Sequence, residues 1–249
     1  QRQLDMRIAD LKRELRAHPS HGCAEREAHA RWGERYQKLR KEIDQAIAQI
    51  EGRTNQVAKV FGRICQLLTV LGYLIESDDD LEITASGLRL GKIYGERDLL
   101  IAECVNSGAW AELDPANLAA MATALVYEGR KDEGDYEPKL PKGNFREALE
   151  ATEAIQERLL DLQIEYRLPR ETQLELSLCW PMYRWATGAR LDDVLKLSGL
   201  LPGDFIRWSK QIIDLLDQLA QGADPALAET AYRAMDLVKR GIVAYSYYV

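Results

Sequence analysis

The sequence predicts a mainly α protein, in which an N-terminal helical hairpin is followed by a short β-hairpin and a C-terminal multi-helix bundle. Three observations support this fold class. Apolar residues recur at helical spacing over most of the 249 residues. One stretch, residues 72–93, instead alternates hydrophobic residues around an acidic turn. Pro and Gly stand at positions where helices begin and end.

The first two predicted helices form the hairpin, residues 1–52. Residues 3–17 carry apolar side chains at helical spacing, and Pro19 ends this helix. Residues 24–51 resume the same spacing, and Gly52 is expected to end the second helix. The apolar positions of the two helices are Leu4, Ile8, Leu11 and Leu15, then Trp32, Tyr36, Leu39, Ile43, Ile47 and Ile50. The charged faces favour a projecting arm, and two helices of a single bundle are the alternative.

Residues 53–249 are predicted to form one C-terminal domain in two parts. In residues 53–95, a helix over 54–71 precedes a β-hairpin that pairs YLI with LEITA across Ser77–Asp80. A helix followed by a hairpin is typical of the end of a winged helix. Residues 96–249 are predicted to form the helical bundle.

The bundle begins with two segments that have clear boundaries. A helix is predicted over residues 97–106, and the next begins with Asp114 at the N-cap and Pro115 at the first helical position. Residues 130–144 are charged and rich in Pro and Gly, which indicates a solvated loop. A long helix over residues 145–166 follows.

The second half of the bundle contains the best-defined helix. A helix over 171–187 is expected to kink at Pro181, and short helices fill 190–198. The next helix has Asp204 as its predicted N-cap, Gly222 as its stop, and a buried stripe at Phe205, Trp208, Ile212, Leu215, Leu216 and Leu219. Residues 225–248, which begin at Pro225, are predicted as one closing helix.

Composition excludes several classes of protein. The chain is 46% hydrophobic and 29% charged, and no apolar run reaches the roughly 18 residues that span a bilayer. Cysteines 23, 65, 104 and 179 are far apart and form no C-x-x-C pair, which favours a reducing, cytoplasmic location. Because the chain begins with glutamine, we expect it to be a piece of a longer protein.

The charge is divided unevenly along the chain. The net charge is −7, but residues 1–75 carry +5 and the remainder carries −12. A uniformly acidic protein would argue against a nucleic-acid partner. A basic arm on an acidic body leaves such a partner open, through the arm or through a local basic stripe.

Catalytic motifs are absent from the sequence. It contains no phosphate-binding G-x-x-x-x-G-K-[ST] loop, no G-x-G-x-x-G and no G-x-S-x-G. All three histidines lie before residue 30. With Cys23, the residues His18, His21 and His29 offer four potential zinc ligands, but their spacing is not a common zinc pattern. A turn that caps a helix is the favoured interpretation.

Three blocks of sequence follow one another within residues 53–249. The first comprises Leu71-Gly72-Tyr73, Gly87-Leu88-Arg89, residues 99–103 and residues 113–128. The second is MYRWATGARLDDVLKLSGLLPGDFIRW, and the third is AMDLVKRGIVAYSYYV. Together they resemble the C-terminal (DSHCT) region of the Ski2-like superfamily 2 RNA helicases. The arm resembles actinobacterial members of the HelY type, in which this stretch lies at the base of an insertion arm. Pro202 and Gly241 depart from the acidic residues that the family usually has at these positions.

The resemblance implies a role for the helix over residues 204–219. In the family, the C-terminal bundle closes over the RecA-like core, and a ratchet helix lines the path of the single strand. Arg207, Lys210 and Gln211 would then contact nucleic acid, with Asp204 at the start of the helix. Trp208 would either stack on a base or lie in the core, and the core is the favoured alternative. Alternatively, Arg207 and Lys210 only hydrate the outer face of the helix and contact no nucleic acid.

The expected function is therefore an accessory region of an ATP-dependent RNA helicase that guides single-stranded RNA during unwinding and RNA processing or decay. The alternative is a protein-docking module that recruits a nuclease or another partner. No cofactor is expected in this chain, since ATP and Mg²⁺ would bind the RecA-like domains. The expected partners are single-stranded or structured RNA, those RecA-like domains and an RNA-decay protein, with no membrane.

Overall fold

The computed structural model describes residues 2–77, 80–129, 138–170 and 172–247. Its secondary structure is almost entirely helical, as predicted. The helices are α1 (Arg2–Ala17), α2 (Arg26–Val70), α3 (Ala85–Leu90), α4 (Asp98–Ser107), α5 (Pro115–Val126), α6 (Phe145–Glu165), α7 (Cys179–Ala186), α8 (Leu191–Ser198), α9 (Pro202–Gly222), α10 (Pro225–Val238) and α11 (Gly241–Tyr245). The strands are β1 (Leu74–Ser77) and β2 (Asp80–Ile83). None of the helices in these ranges is both long and apolar enough to cross a membrane.

The chain divides into two compact units, residues 1–60 and 61–249. In the first unit, α1 ends at Ala17 and a 3-10 turn, Pro19–Gly22, leads to α2. This is the predicted order of helix, short turn and helix. The apolar stripes of both helices remain open to solvent. Their members Leu4, Ile8, Leu11, Leu15, Trp32, Tyr36, Leu39, Ile43 and Ile47 are between 47% and 67% exposed.

The prediction that Gly52 ends the second helix is wrong, because α2 continues without interruption from Arg26 to Val70. A single glycine costs a helix only about 1 kcal/mol relative to alanine. The residues on either side favour helix and include no proline, so the helix tolerates that cost. The division between the two units therefore falls inside α2, after Val60 rather than after residue 52.

The predicted β-hairpin is present at the start of the second unit. Strands β1 and β2 pair antiparallel, with Leu74 opposite Ile83 and Ser77 opposite Asp80. Residues 78 and 79 of the predicted acidic turn lie outside the described residues. Thr84 leaves the sheet and caps α3, since its hydroxyl accepts a hydrogen bond from the Gly87 amide. A Cβ at Gly87 would overlap the carbonyl oxygen of Tyr73, so only glycine fits this crossing.

A polar network joins the hairpin to α4 and α6. The buried Tyr73 hydroxyl donates to Glu103 Oε1 over 2.6 Å and accepts from Asn106 Nδ2 over 3.1 Å. Arg158 of α6 forms an ion pair with Glu103. Burial raises the pKa of Tyr73, and the Glu103 carboxylate raises it further. The hydroxyl therefore stays protonated and acts as the donor that links the two elements.

Helix α5 is the central element of the bundle. Its residues 116–125 are buried on all sides, and it packs against α6, α7, α9 and α10. Asp114 caps it as predicted, because its carboxylate accepts from the amides of Ala116 and Asn117, each over 2.9 Å. Five of its buried positions are alanine, Ala116, Ala119, Ala120, Ala122 and Ala124, which lets the surrounding helices approach closely.

The predicted helix over 171–187 begins later than expected. Residues 172–178 are not helical, residue 171 lies outside the described residues, and α7 starts at Cys179. Pro181 consequently lies in the first turn, where no backbone amide needs an intrahelical acceptor. It therefore helps to begin the helix and does not kink it. Cys179 is fully buried, and desolvation raises the pKa of its thiol.

Two predicted boundaries in the last part of the chain are also wrong. Leu201 occupies the N-cap of α9 and Pro202 its first position, so Asp204 lies in the first turn and is not the cap. The closing helix is divided: α10 ends at Val238, and α11 begins at Gly241. Gly241 has φ +50°, a left-handed conformation that interrupts a helix and favours glycine.

Arg240 holds this interruption against α7. Its guanidinium lies 3.6 Å from the centroid of the Trp185 ring and donates to the carbonyl oxygens of Trp185 and Ala189, each over 2.6 Å. The Trp185 indole in turn donates to the carbonyl oxygen of Val238 over 2.9 Å. Arg240 therefore has a structural role.

We expect Arg240→Ala to lower the free energy of unfolding by about 2–4 kcal/mol, because it removes charged hydrogen bonds and a cation–π contact. Chemical denaturation of the chain measures this change. Arg233→Ala is the matched control, since Arg233 is exposed on α10, and it should change stability by about 0.5 kcal/mol or less. Equal stability of the two variants would contradict the structural role of Arg240.

Candidate nucleic-acid interface

Helix α9 presents a polar face opposite a continuous buried stripe. The stripe predicted from the sequence is buried at every position: Phe205, Trp208, Ile212, Leu215, Leu216 and Leu219. These side chains pack mainly against α5 and α10. Arg207, Gln211 and Asp214 are exposed on the other side of the helix, and Lys210 is half-buried beside them. The polar face is therefore fixed in position by the packing of the stripe.

Trp208 belongs to the core. It is only 7% exposed, and its ring meets that of Tyr127 edge to face, with centroids 5.1 Å apart. The Arg207 guanidinium lies over the indole at 4.3 Å from its centroid. The suggestion that Trp208 stacks on a nucleobase is therefore not supported by this conformation, because both the burial and Arg207 restrict access to the ring.

Arg207 is the most accessible cation of the polar face. It is exposed and lies over Trp208, and no carboxylate oxygen lies within 4.0 Å of it among the residues that the structure describes. An arginine guanidinium can donate two parallel hydrogen bonds to the oxygens of one phosphate. Stacking on Trp208 also restricts the guanidinium to one orientation, which reduces the entropy lost when it binds a ligand.

The other predicted residues have different surroundings. Lys210 Nζ donates to the carbonyl oxygen of Ser246 over 2.9 Å, so one of its three N–H groups is already used. Gln211 is exposed next to it. Asp204 is half-buried in the first turn of α9, where a carboxylate stabilises the positive end of the helix dipole. This location favours a structural role for Asp204 over contact with an anionic strand.

The C-terminal half of the polar face is acidic, and its Gln218 side chain already has a hydrogen-bond partner. A cavity of about 340 Å³ beside it is lined by Gln211, Asp214 and Gln218 of α9, together with Glu96 and Glu128 from other segments. The Gln218 side chain accepts from the Tyr94 amide over 2.7 Å. Carboxylates repel phosphates, so the favourable part of the face is limited to the turn that carries Arg207 and Lys210.

Two residues that the sequence did not single out lie next to this turn. Lys210 Nζ is 4.9 Å from the centroid of the Tyr247 ring, and Lys239 Nζ is 4.7 Å from the same centroid. Lys239 follows α10 and Tyr247 follows α11, so no local pattern indicates that they meet α9. The contact of Lys210 and Lys239 with the same Tyr247 ring exists only in the folded chain.

The histidine and cysteine residues of the arm are not gathered into a metal site. Cys23 Sγ lies 3.4 Å from His29 Nδ1, and His29 Nε2 lies 3.7 Å from a Glu25 carboxylate oxygen. His18 and His21 lie at the 3-10 turn. Within the described ranges, no three His, Cys, Asp or Glu side chains are close enough together to hold a metal ion. The structure thus does not support the zinc alternative for His18, His21, Cys23 and His29.

Comparison with protein families identifies the second unit. The model of the DSHCT (NUC185) domain matches residues 80–246, from the second strand to the segment after α11. The chain belongs to the DSHCT domain family. The match includes the whole of α9 and therefore the candidate interface, and it confirms the resemblance of the three sequence blocks.

Two of the following three relatives of this DSHCT protein are named helicases. The chain is 35% identical over 251 residues to the Probable helicase HelY of Mycobacterium leprae, covering 96% of this chain and 27% of the relative. It is 23% identical to human Superkiller complex protein 2, covering 83% and 17%, and 26% identical to human Exosome RNA helicase MTR4, covering 64% and 15%. The chain thus spans about a quarter of the length of HelY and less of the other two.

We expect Trp208→Ala to destabilise the DSHCT domain by about 3–5 kcal/mol, because it removes a large buried ring from the contact with Tyr127. Arg207→Ala should cost about 1 kcal/mol or less, since Arg207 is exposed and only its contact with Trp208 is lost. Thermal and chemical unfolding measure both. A small effect of Trp208→Ala would show that the indole is not a core residue.

Proposed function

We propose that this chain is the C-terminal accessory region of an ATP-dependent RNA helicase, and that it guides single-stranded RNA along the basic turn of α9. The names of the relatives support the helicase assignment, and one of them is named an RNA helicase. The observation that carries the RNA role is the exposed Arg207 beside Lys210 on a helix held rigidly by its buried stripe. A rigid helix keeps these cations at a constant position while a strand moves past.

The chemistry of this turn suits a strand of any sequence. Arginine and lysine contact phosphates, which are identical at every nucleotide, so affinity depends on the backbone and on salt concentration. A translocating enzyme requires this tolerance. With Trp208 in the core, the contacts proposed for α9 are to the backbone and not to the bases.

We propose that ATP and Mg²⁺ bind outside the DSHCT bundle. The given sequence contains no phosphate-binding G-x-x-x-x-G-K-[ST] loop, which supports this proposal. We therefore propose that nucleotide hydrolysis belongs to RecA-like domains of the longer protein. We also propose that the DSHCT bundle contributes through its position on the RNA path.

In the longer protein, we expect Arg207→Glu combined with Lys210→Glu to reduce unwinding at least tenfold while leaving ATP hydrolysis without RNA unchanged, because the substitutions place like charges opposite phosphates. Strand-displacement and phosphate-release assays measure the two activities. Lys196→Glu, on the exposed surface of α8, is the control. If unwinding by the double variant equals that of the control, the role of α9 in guiding RNA is wrong.

The alternative, a protein-docking module, is favoured by one observation. The apolar stripes of α1 and α2 are about half exposed or more, and contiguous exposed apolar surface typically marks an interaction site.

If the arm is the docking element, deleting residues 1–50 should spare unwinding and abolish co-purification of a partner. An arm deletion that abolishes unwinding itself would oppose this assignment.

A further inference from the structure

The cluster of Lys210, Lys239 and Tyr247 has an unusual charge arrangement for an acidic chain. Both ammonium groups approach the same phenol ring, at 4.9 and 4.7 Å from its centroid. Their mutual distance therefore cannot exceed the sum of these values, which is less than about 10 Å. This is close to the Debye length at physiological salt, so the two charges act on the same small region of solvent.

The two lysines come from different elements, and both contact the Tyr247 ring. Lys210 belongs to α9, Lys239 follows α10, and Tyr247 follows α11. The negative face of an aromatic ring attracts cations, which partly offsets the repulsion between the ammonium groups. The carbonyl oxygen of Ser246 also fixes Lys210 over 2.9 Å. The segment after α11 therefore positions both cations.

Their charge is not neutralised by a close acid. Within the part of the chain that the structure describes, the ion pairs involve other residues, and neither lysine has a carboxylate oxygen within 4.0 Å. Burial raises the pKa of the Tyr247 phenol and the charge of Asp214 on α9 raises it further, so Asp214 is close enough to act on the cluster. Two positive charges against one negative charge leave the cluster net positive. Lys239 is exposed and Tyr247 is 42% exposed, so a ligand has access.

We propose that Lys210, Lys239 and Tyr247 form a phosphate clamp for single-stranded RNA, in which the two lysines bind backbone phosphates and Tyr247 is the positioning residue. Lysine binds phosphate as a point charge through three rotatable donors, and Lys210 retains two that Ser246 does not use. The clamp rests on the proposed function of α9. It extends the interface from one helix to the ends of α10 and α11, and it gives the strand a second point of attachment beside Arg207.

Binding of oligouridylate to the full chain, followed by fluorescence anisotropy as the salt concentration is raised from a low value, tests the clamp. Low salt is needed because an acidic chain is expected to bind RNA weakly on its own. Lys239→Gln should weaken binding severalfold and reduce the slope of log affinity against log salt by about 0.7, the value for one phosphate contact on a single strand. Lys196→Gln should leave the slope unchanged.

Variants of Tyr247 separate positioning from stacking. Tyr247→Leu should lower both affinity and salt slope with little change in melting temperature, while Tyr247→Phe, which keeps the ring, should retain both. Tyr232→Leu, at an exposed tyrosine of α10, is the matched control. An oligomer of the same length without bases should show the same losses. A loss confined to RNA with bases would assign Tyr247 to stacking and overturn the clamp.

The same measurements distinguish failure of the clamp from failure of the proposed function. Arg207→Gln tests α9 without touching the clamp, whereas Lys239→Gln and Tyr247→Leu test the clamp without replacing a residue of α9. If Arg207→Gln weakens binding and the other two do not, the clamp is wrong and the role of α9 stands. If none of them changes the affinity or the salt slope, both are wrong.

Discussion

The second unit depends on the complete burial of α5. A helix that is apolar on every side has no stable position except inside other helices, and α6, α7, α9 and α10 supply that enclosure. Each of them must then turn one apolar stripe inward and keep a polar face outward. The polar face of α9 is consequently a result of packing, since the direction of Arg207 and Lys210 is set by Phe205 and the residues that continue its stripe. Alanines on α5 allow this close approach.

A second constraint closes the bundle near its last helices. Arg240 lies on Trp185, and Trp185 meets Phe205 of α9 edge to face at 5.3 Å. This series of contacts links the break between α10 and α11 to α7 and α9. It also determines where the segment after α11 runs, and therefore where Tyr247 meets Lys210 and Lys239. A structural arginine thus helps to position a surface of which its own side chain is not a part.

Local signals in the sequence were sufficient where structure is determined locally. Asp114 followed by Pro115 identified the start of α5, and the spacing of apolar residues identified the buried face of α9. Gly52 misled because a glycine is a weak stop when the flanking residues favour helix. Pro181 misled because its effect depends on its position in the helix, which the sequence left open. The division between α10 and α11 depends on Gly241 and on the distant Trp185, so periodicity alone did not predict it.

The candidate interface was only partly predictable for the same reason. Arg207 and Lys210 share one helix and could be grouped by spacing. Lys239 and Tyr247 lie on separate segments and approach Lys210 only in the folded chain, so spacing within one helix could not indicate them. The sequence likewise did not indicate that Arg97 links separate segments of the backbone. Its guanidinium is buried and donates to the carbonyl oxygen of Leu125 over 2.7 Å and to that of Gln173 over 3.0 Å.

Chemical modification of the buried Cys179 thiol reports how often the bundle opens. Thiolates react with oxidants and electrophiles, and both burial and the raised pKa of this group suppress the thiolate while α7 is packed against α5. Its modification must therefore wait for a local or global fluctuation that admits solvent. The rate of that modification is proportional to the population of opened molecules. Oxidative damage at this position is consequently limited by the free energy of opening and not by the concentration of oxidant alone.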